Sequence, residues 1–189
     1  MKTVQLIKLN VQYARDIHRL SQAEEVKNAL GLPDQTVADT HNFIQHTIMD
    51  EKSGNTLSRL ILNENDQLIG MTTLMFIDKA KNSCHIGSWI GHDYWGQGYN
   101  LSSKIEILKI AFLELKLDIV FAGARAVNIR SQKAQEKLPF IKLGVENIFP
   151  DVHTFLETKE KQRCVLNAFY KEDFLNYING EIEIQSQIS

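Results

Sequence analysis

The sequence predicts an α/β protein built on one mixed sheet, and three observations predict it. Apolar segments of period two, Thr56–Asn63, Gln67–Asp78 and Ser83–Gly91, are separated by polar turns and are expected as antiparallel strands. The third leads through a glycine turn, Trp95-Gly96-Gln97-Gly98-Tyr99-Asn100, into a strongly periodic helix. A buried-type strand at Leu117–Arg125 and a short helix at Ser131–Leu138 follow. A strand–turn–helix–strand–helix unit flanked by antiparallel strands describes a mixed sheet with helices on its faces.

Each element has its own local reason. Thr3 to Leu9 alternates as a short strand. Residues about 12–29 and 35–50 read as two helices, separated by the turn Gly31-Leu32-Pro33-Asp34. The second carries Val37, His41, Ile44 and Ile48 at 4-3-4 spacing. Asn63–Asp66 and Lys79–Asn82 are the polar turns of the strand region. After the glycine turn, Leu101, Ile105, Leu108, Phe112 and Leu115 form one apolar stripe. Ile141–Asn147 and Arg163–Tyr170 are expected as two further strands, and 145–165 as a strand region. The last residues, GEIEIQSQIS, read as a tail, so the division is one domain over 1–180 and a tail over 181–189.

Composition excludes several classes. With 189 residues, 43% hydrophobic and 23% charged, the chain has enough apolar content for a core and is not disordered. A net charge of −2 supplies no electrostatic footprint for a polyanion, so no nucleic-acid partner is expected. No apolar run approaches the roughly 20 residues that cross a bilayer, and the opening MKTVQLIKLNVQYARD has no signal-peptide pattern. Cys84 and Cys164 lie far apart with no Cys-x-x-Cys, which suits a reducing cytoplasm. His41 and His46, five apart, do not share a helix face, and no metal site is expected.

The glycine turn carries the first chemical signal. Gly96 and Gly98 permit positive φ and close approach of backbone N–H groups to a ligand. The helix beginning there adds unpaired N–H groups and the positive end of its dipole. Together these suit a phosphate or diphosphate, while the plain alternative is a tight turn that needs glycine for sterics. No Gly-Lys-Ser/Thr follows, which excludes a P-loop, and Leu101 stands where a dinucleotide fingerprint needs its third glycine.

The stretch HIGSWIGHDYWGQGYNLSSKIEILKIAF, residues 85–112, resembles the acetyl-CoA-binding core of the GCN5-related N-acetyltransferases (GNAT), in particular the RimJ/RimL-type branch. Ala126-Val127-Asn128-Ile129-Arg130-Ser131 with Glu136-Lys137-Leu138-Pro139-Phe140, and the closing Tyr170-Lys171-Glu172-Asp173-Phe174, resemble the same branch. Trp95, Asn100 and Pro139 depart from its usual residues. The resemblance implies a GNAT fold, a largely antiparallel mixed sheet with splayed central strands, and acetyl-CoA as cosubstrate without a metal. It further implies that the diphosphate lies on the backbone of Gly96, Gln97, Gly98, Tyr99, Asn100 and Leu101. Backbone groups of Trp89 and Ile90, at the splayed strand end, would pair with the pantetheine amides. Asn128 would bond the pantetheine arm; a helix N-cap or Asx turn before the Ser131 helix is the other reading of its position, and the two are compatible.

Acetyl transfer from a thioester to an amine needs a neutral amine, a stabilised oxyanion and a protonated leaving thiolate. Ser131 falls on the family position from which a hydroxyl reaches the sulfur; its other reading is as a helix cap. His85, on the strand leading to Trp89, is the candidate base, with His92, Asp93, Asp151 and His153 as lesser candidates. No carboxylate base is assignable. That absence, and the resemblance, favour the α-amine of a protein N-terminus over lysine as acceptor. A small-molecule amine, such as an antibiotic or polyamine, is the alternative acceptor, and a non-catalytic acyl-CoA-binding module the alternative class. A second copy of the chain stays open as a partner; no membrane partner is expected.

Overall fold

The computed structural model describes residues 2–188, with side chains described for 2–180. Seven strands form one sheet: β1 (Val4–Lys8), β2 (Thr56–Asn63), β3 (Leu68–Asp78), β4 (Ser83–Ile90), β5 (Ile119–Arg125), β6 (Ile141–Lys142) and β7 (Cys164–Tyr170). Their order across the sheet is β1-β2-β3-β4-β5-β7-β6. Every neighbouring pair is antiparallel except the central β4–β5 pair, which is parallel. The helices are α1 (Ala14–Ser21), α2 (Glu24–Leu30), α3 (Val37–Lys52), α4 (Tyr99–Lys109), α5 (Ile129–Glu136), α6 (Pro150–Glu160) and α7 (Lys171–Ile188).

Strand alternation distributes the core between the two faces. On one face, Ile105, Leu108 and Phe112 of the α4 segment pack with Leu57, Leu74, Ile86, Val120 and Phe174. That stripe is the one its spacing predicts, and it continues through a π-helical turn at Ile110–Glu114. On the other face, Ile17 of α1 and Ile44 of α3 cover Leu60, Leu62 and Met71. On the same side as Phe121, Leu156 of α6 packs with Leu166 and Ala168.

The central strands part company. β4 and β5 are paired only from Ser83↔Ile119 to Ile86↔Ala122. Beyond that point β4 stays with β3: the Gly91 N–H donates to the Ile69 carbonyl at 2.7 Å. Gly70 allows this closeness, because a β-carbon there would collide with the Trp89 carbonyl. The far ends of β4 and β5 thus flank a gap in the sheet, as the resemblance implied.

Three sequence expectations change. The helix expected over 12–29 is two helices, α1 and α2, because Ala23 is extended and Gln22 is engaged elsewhere, accepting from the Gln35 N–H at 3.2 Å. The strand expected over 141–147 stops at Lys142, where Gly144 at φ +67° turns the chain and donates its N–H to Asn167 Oδ1. The region expected as strands over 145–165 is mostly helix α6, with Pro150 in its first turn and Asp151 beside its positive end. Helix α7 is described as far as Ile188. The tail proposed over 181–189 otherwise lies outside the residues with described side chains, and Ser189 outside the described residues.

Candidate active site

A cleft of about 220 Å³ opens where β4 and β5 diverge, on the face that carries α2 and α6. Its walls are the end of α2 (Ala29, Leu30), the end of β3 (Met75, Phe76), and Phe155 with Leu156 from α6. His85, Asn128 and Ser131, three residues singled out from the sequence, all line it.

Asn128 is the N-cap of α5: its Oδ1 accepts from the Ser131 N–H at 3.0 Å. Its Nδ2 donates to the Ala29 carbonyl at 3.0 Å, and Arg125 donates to the same carbonyl at 2.7 Å. These two bonds fix the end of α2 over the cleft. Gly31 completes the arrangement, since a side chain there would collide with the Arg125 guanidinium. Ser131 is therefore not a cap. It sits inside the first turn of α5, half-buried, with only a long 3.4 Å contact from Gln135 Nε2 to its hydroxyl. The capping alternative for Ser131 is overturned because Asn128 already fills that position.

His85 sits among aromatic rings. Phe76, Phe121 and Phe155 have centroids 5.8, 5.5 and 5.7 Å from the imidazole. Burial, and secondarily the positive Lys159, push its pKa down to about 4. The imidazole is neutral near pH 7 and only weakly basic. Phe76 reaches this position through an irregularity between Met75 and Asp78, where its φ is +54°. A bulky residue in that region carries strain of roughly 1–3 kcal/mol, and such strain gathers at functional sites. Gly123 lets α6 close the cleft, because a β-carbon would come within 2.5 Å of Leu156.

The glycine turn lies outside this cleft, at the far end of β4. Gly96 and Gly98 have φ of +74° and +89°, and Gly98 starts α4 with no side chain capping it. Each residue's added β-carbon would point into open space or no nearer than 3.9 Å to Lys2. The neighbouring side chains turn away. Tyr99 is buried and donates to Glu64 at 2.8 Å, Gln97 donates to the Asp93 carbonyl, and Asn100 donates to the Ala134 carbonyl. Leu101 packs into the core. Gly96, Gln97 and Gly98 are exposed, and the first backbone N–H groups of α4 have no partner within the helix, an arrangement that fits a diphosphate.

Trp89 and Ile90 behave differently from one another. Gly91 faces β3 with its N–H, so two-residue alternation turns the N–H and C=O of Trp89 toward β3 as well. Ser88 and Ile90 face the gap instead. The Ile90 carbonyl accepts from Trp95 Nε1 at 2.6 Å, and Trp89 packs against the cluster under α1 and α3 that includes Met71. At this end of β4 the backbone groups facing the gap are therefore those of Ser88 and Ile90, while those of Trp89 are engaged with β3.

The lesser candidates are elsewhere. His92 and Asp93 are exposed beside Glu25, and Asp151 is exposed in the first turn of α6. His153 bonds the Cys164 carbonyl at 2.8 Å, pinning α6 to β7. Residues missed from sequence are Phe76, Arg125, Phe155, Lys159 and Glu160. The helix signal for the last three was present in Pro150-Asp151 followed by Val152, Phe155 and Leu156. Among the described residues no group of His, Cys, Asp and Glu suits a metal, and no helix is long and apolar enough to cross a membrane.

The comparisons with known proteins agree with this geometry. The acetyltransferase (GNAT) domain family matches residues 4–141. A Bacillus subtilis (strain 168) protein named "Putative ribosomal N-acetyltransferase YdaF" is 30% identical over 77 residues, spanning 41% of this chain and 42% of that relative. A spermidine N-acetyltransferase from Vibrio cholerae, solved with CoA and spermine, shares the fold at TM-score 0.69 and 14% identity, over 92% of this chain and 98% of that one. The ribosomal L7/L12 α-N-protein acetyltransferase RimL does so at TM-score 0.67 and 18% identity, over 75% and 77%. With a splayed β4–β5 pair, an open glycine turn at a helix start and a family match across most of its length, the chain belongs to the GNAT acetyltransferase family.

Proposed function

We propose that this chain transfers the acetyl group of acetyl-CoA directly to the α-amine of a protein or peptide N-terminus. The observation that carries the choice of acceptor is the charge content of the cleft. Among the described residues its one carboxylate, Glu160, is already paired with Lys159 at 3.0 Å, and Arg125 adds a second cation. A polyamine carries several ammonium groups and would find no free carboxylate here. The name of the YdaF relative supports a ribosomal acceptor, and that of RimL an α-amine on a protein.

The cosubstrate's diphosphate suits the backbone N–H groups of residues 97–101, and its amide-bearing arm the outward backbone groups of Ser88 and the Ile90 N–H, the Ile90 carbonyl being held by Trp95. In the cleft, the acceptor nitrogen attacks the thioester carbonyl carbon, the carbon–sulfur bond breaks, and the amine loses a proton. Ser131 supplies a proton to the leaving thiolate. The neutral His85 accepts the amine's proton once attack has made that nitrogen acidic. At pH 7 roughly a tenth of α-amines, with reference pKa near 7.7–8.0, are already neutral, against under about a thousandth of lysines near 10.4. A weakly basic imidazole therefore suits the α-amine.

The test compares three acceptors with acetyl-CoA: a peptide with a free N-terminus, an N-terminally blocked peptide bearing one lysine, and spermidine. Preferential turnover of the first is expected. Turnover confined to either of the others overturns the reading.

A further inference from the structure

The acceptor end of the cleft has a chemistry of its own. Phe76 and Phe155 are large apolar side chains left 45% and 44% exposed, and both line the cleft. They meet edge to face, centroids 5.1 Å apart with planes at 84°. Met75 and Leu156 extend the same apolar surface. Two separate pieces of backbone maintain it: the left-handed Phe76 within an irregular stretch of β3, and helix α6, seated on Gly123. Around the rim, Lys159 lies 5.8 Å from the Phe76 ring centre and pairs with Glu160.

An exposed apolar surface of this kind, inside a cleft and beside the proposed reacting groups, is suited to an uncharged hydrophobic group next to the amine. We propose that Phe76 and Phe155, with Met75 and Leu156, form the pocket for the first side chain of the acceptor. They select N-terminal residues with large apolar side chains, such as Leu, Met or Phe, over Gly, Ser and Asp. This inference rests on the α-amine reading above. Burying a side chain of that size supports a discrimination of about 10–100-fold in kcat/KM. A basic first residue is disfavoured too, because it would meet Lys159 and Arg125 without a free carboxylate.

The test uses a peptide series differing only in its free N-terminal residue, with acetyl-CoA and the full chain. Leu, Met and Phe peptides should exceed Gly, Ser and Asp peptides by 10-fold or more in kcat/KM. Phe155→Ala and, separately, Phe76→Ala should each bring the Leu-to-Gly ratio toward one. That ratio is internal to each variant and is unaffected by the fraction of protein folded. Equal kcat/KM across the series, or a Leu-to-Gly ratio unchanged in both variants, overturns the pocket while leaving the α-amine reading in place. Absence of turnover for every free-N-terminus peptide overturns both.

Discussion

Asn128 and Ala29 are joined by a 3.0 Å hydrogen bond from the side-chain amide to the last-turn carbonyl of α2, across 99 residues of sequence. The same amide group caps α5 through its oxygen. One side chain thus ties the wall of the cleft to the helix that bears Ser131.

Replacing Asn128 separates these duties. Asn128→Ala should lose both and cost about 1–2 kcal/mol, read from a denaturant melt. Asn128→Asp keeps an oxygen for the cap and removes the donor to Ala29. Hydrogen exchange at the Gly31 and Leu32 amides should accelerate in the Asp variant. Exchange as slow as in the parent would show that α2 is held without this bond.

Ser131→Ala should separate chemistry from stability. Since Asn128 caps the helix, the melting temperature should hardly move. Loss of a general acid typically lowers kcat by about 10²–10⁴-fold. A variant with parental kcat would remove Ser131 from the mechanism.

Gly98→Val tests the anion site. The protein itself leaves room for the new side chain, but φ +89° strains a β-branched residue, and its bulk would occupy the space proposed for the diphosphate. Acetyl-CoA affinity by calorimetry should fall at least about tenfold, beyond a stability cost of roughly 1–2 kcal/mol. Undiminished affinity in the folded variant would place the cosubstrate elsewhere.

His85 predicts a pH dependence. Burial holds its folded pKa at about 4, against 6.5 in the free side chain. Between those values the unfolded chain binds a proton that the folded chain refuses, so stability falls as pH drops from 6.5 to 4 and this contribution levels off below. At 1.36 kcal/mol per unit, the loss is up to about 3 kcal/mol. His85→Gln should flatten that part of the stability–pH curve measured by denaturant melts, and an unchanged slope would assign it to other groups.

Much of this protein was legible in local pattern. Period-two runs placed β2, β3 and β4, the 4-3-4-3 stripe placed α4, and Gly96 and Gly98 marked the left-handed turn before it, because each signal lies within one element and depends on neighbours in sequence. The fate of individual groups was not legible. Whether Ser131 caps a helix depended on Asn128 reaching the position first, and whether Trp89 or Ser88 faces the gap depended on the register of β4 against β3. The aromatic wall of the cleft was least visible: Phe76 of β3 and Phe155 of α6 lie 79 positions apart and meet only through the packing of α6 against the sheet. Sequence alone determined most of the sheet, the helix faces and the glycine turn at the start of α4 through local periodicity and backbone conformation. Only tertiary structure decided the lining of the cleft and its charge, since burial and pairing belong to contacts between segments distant in the chain.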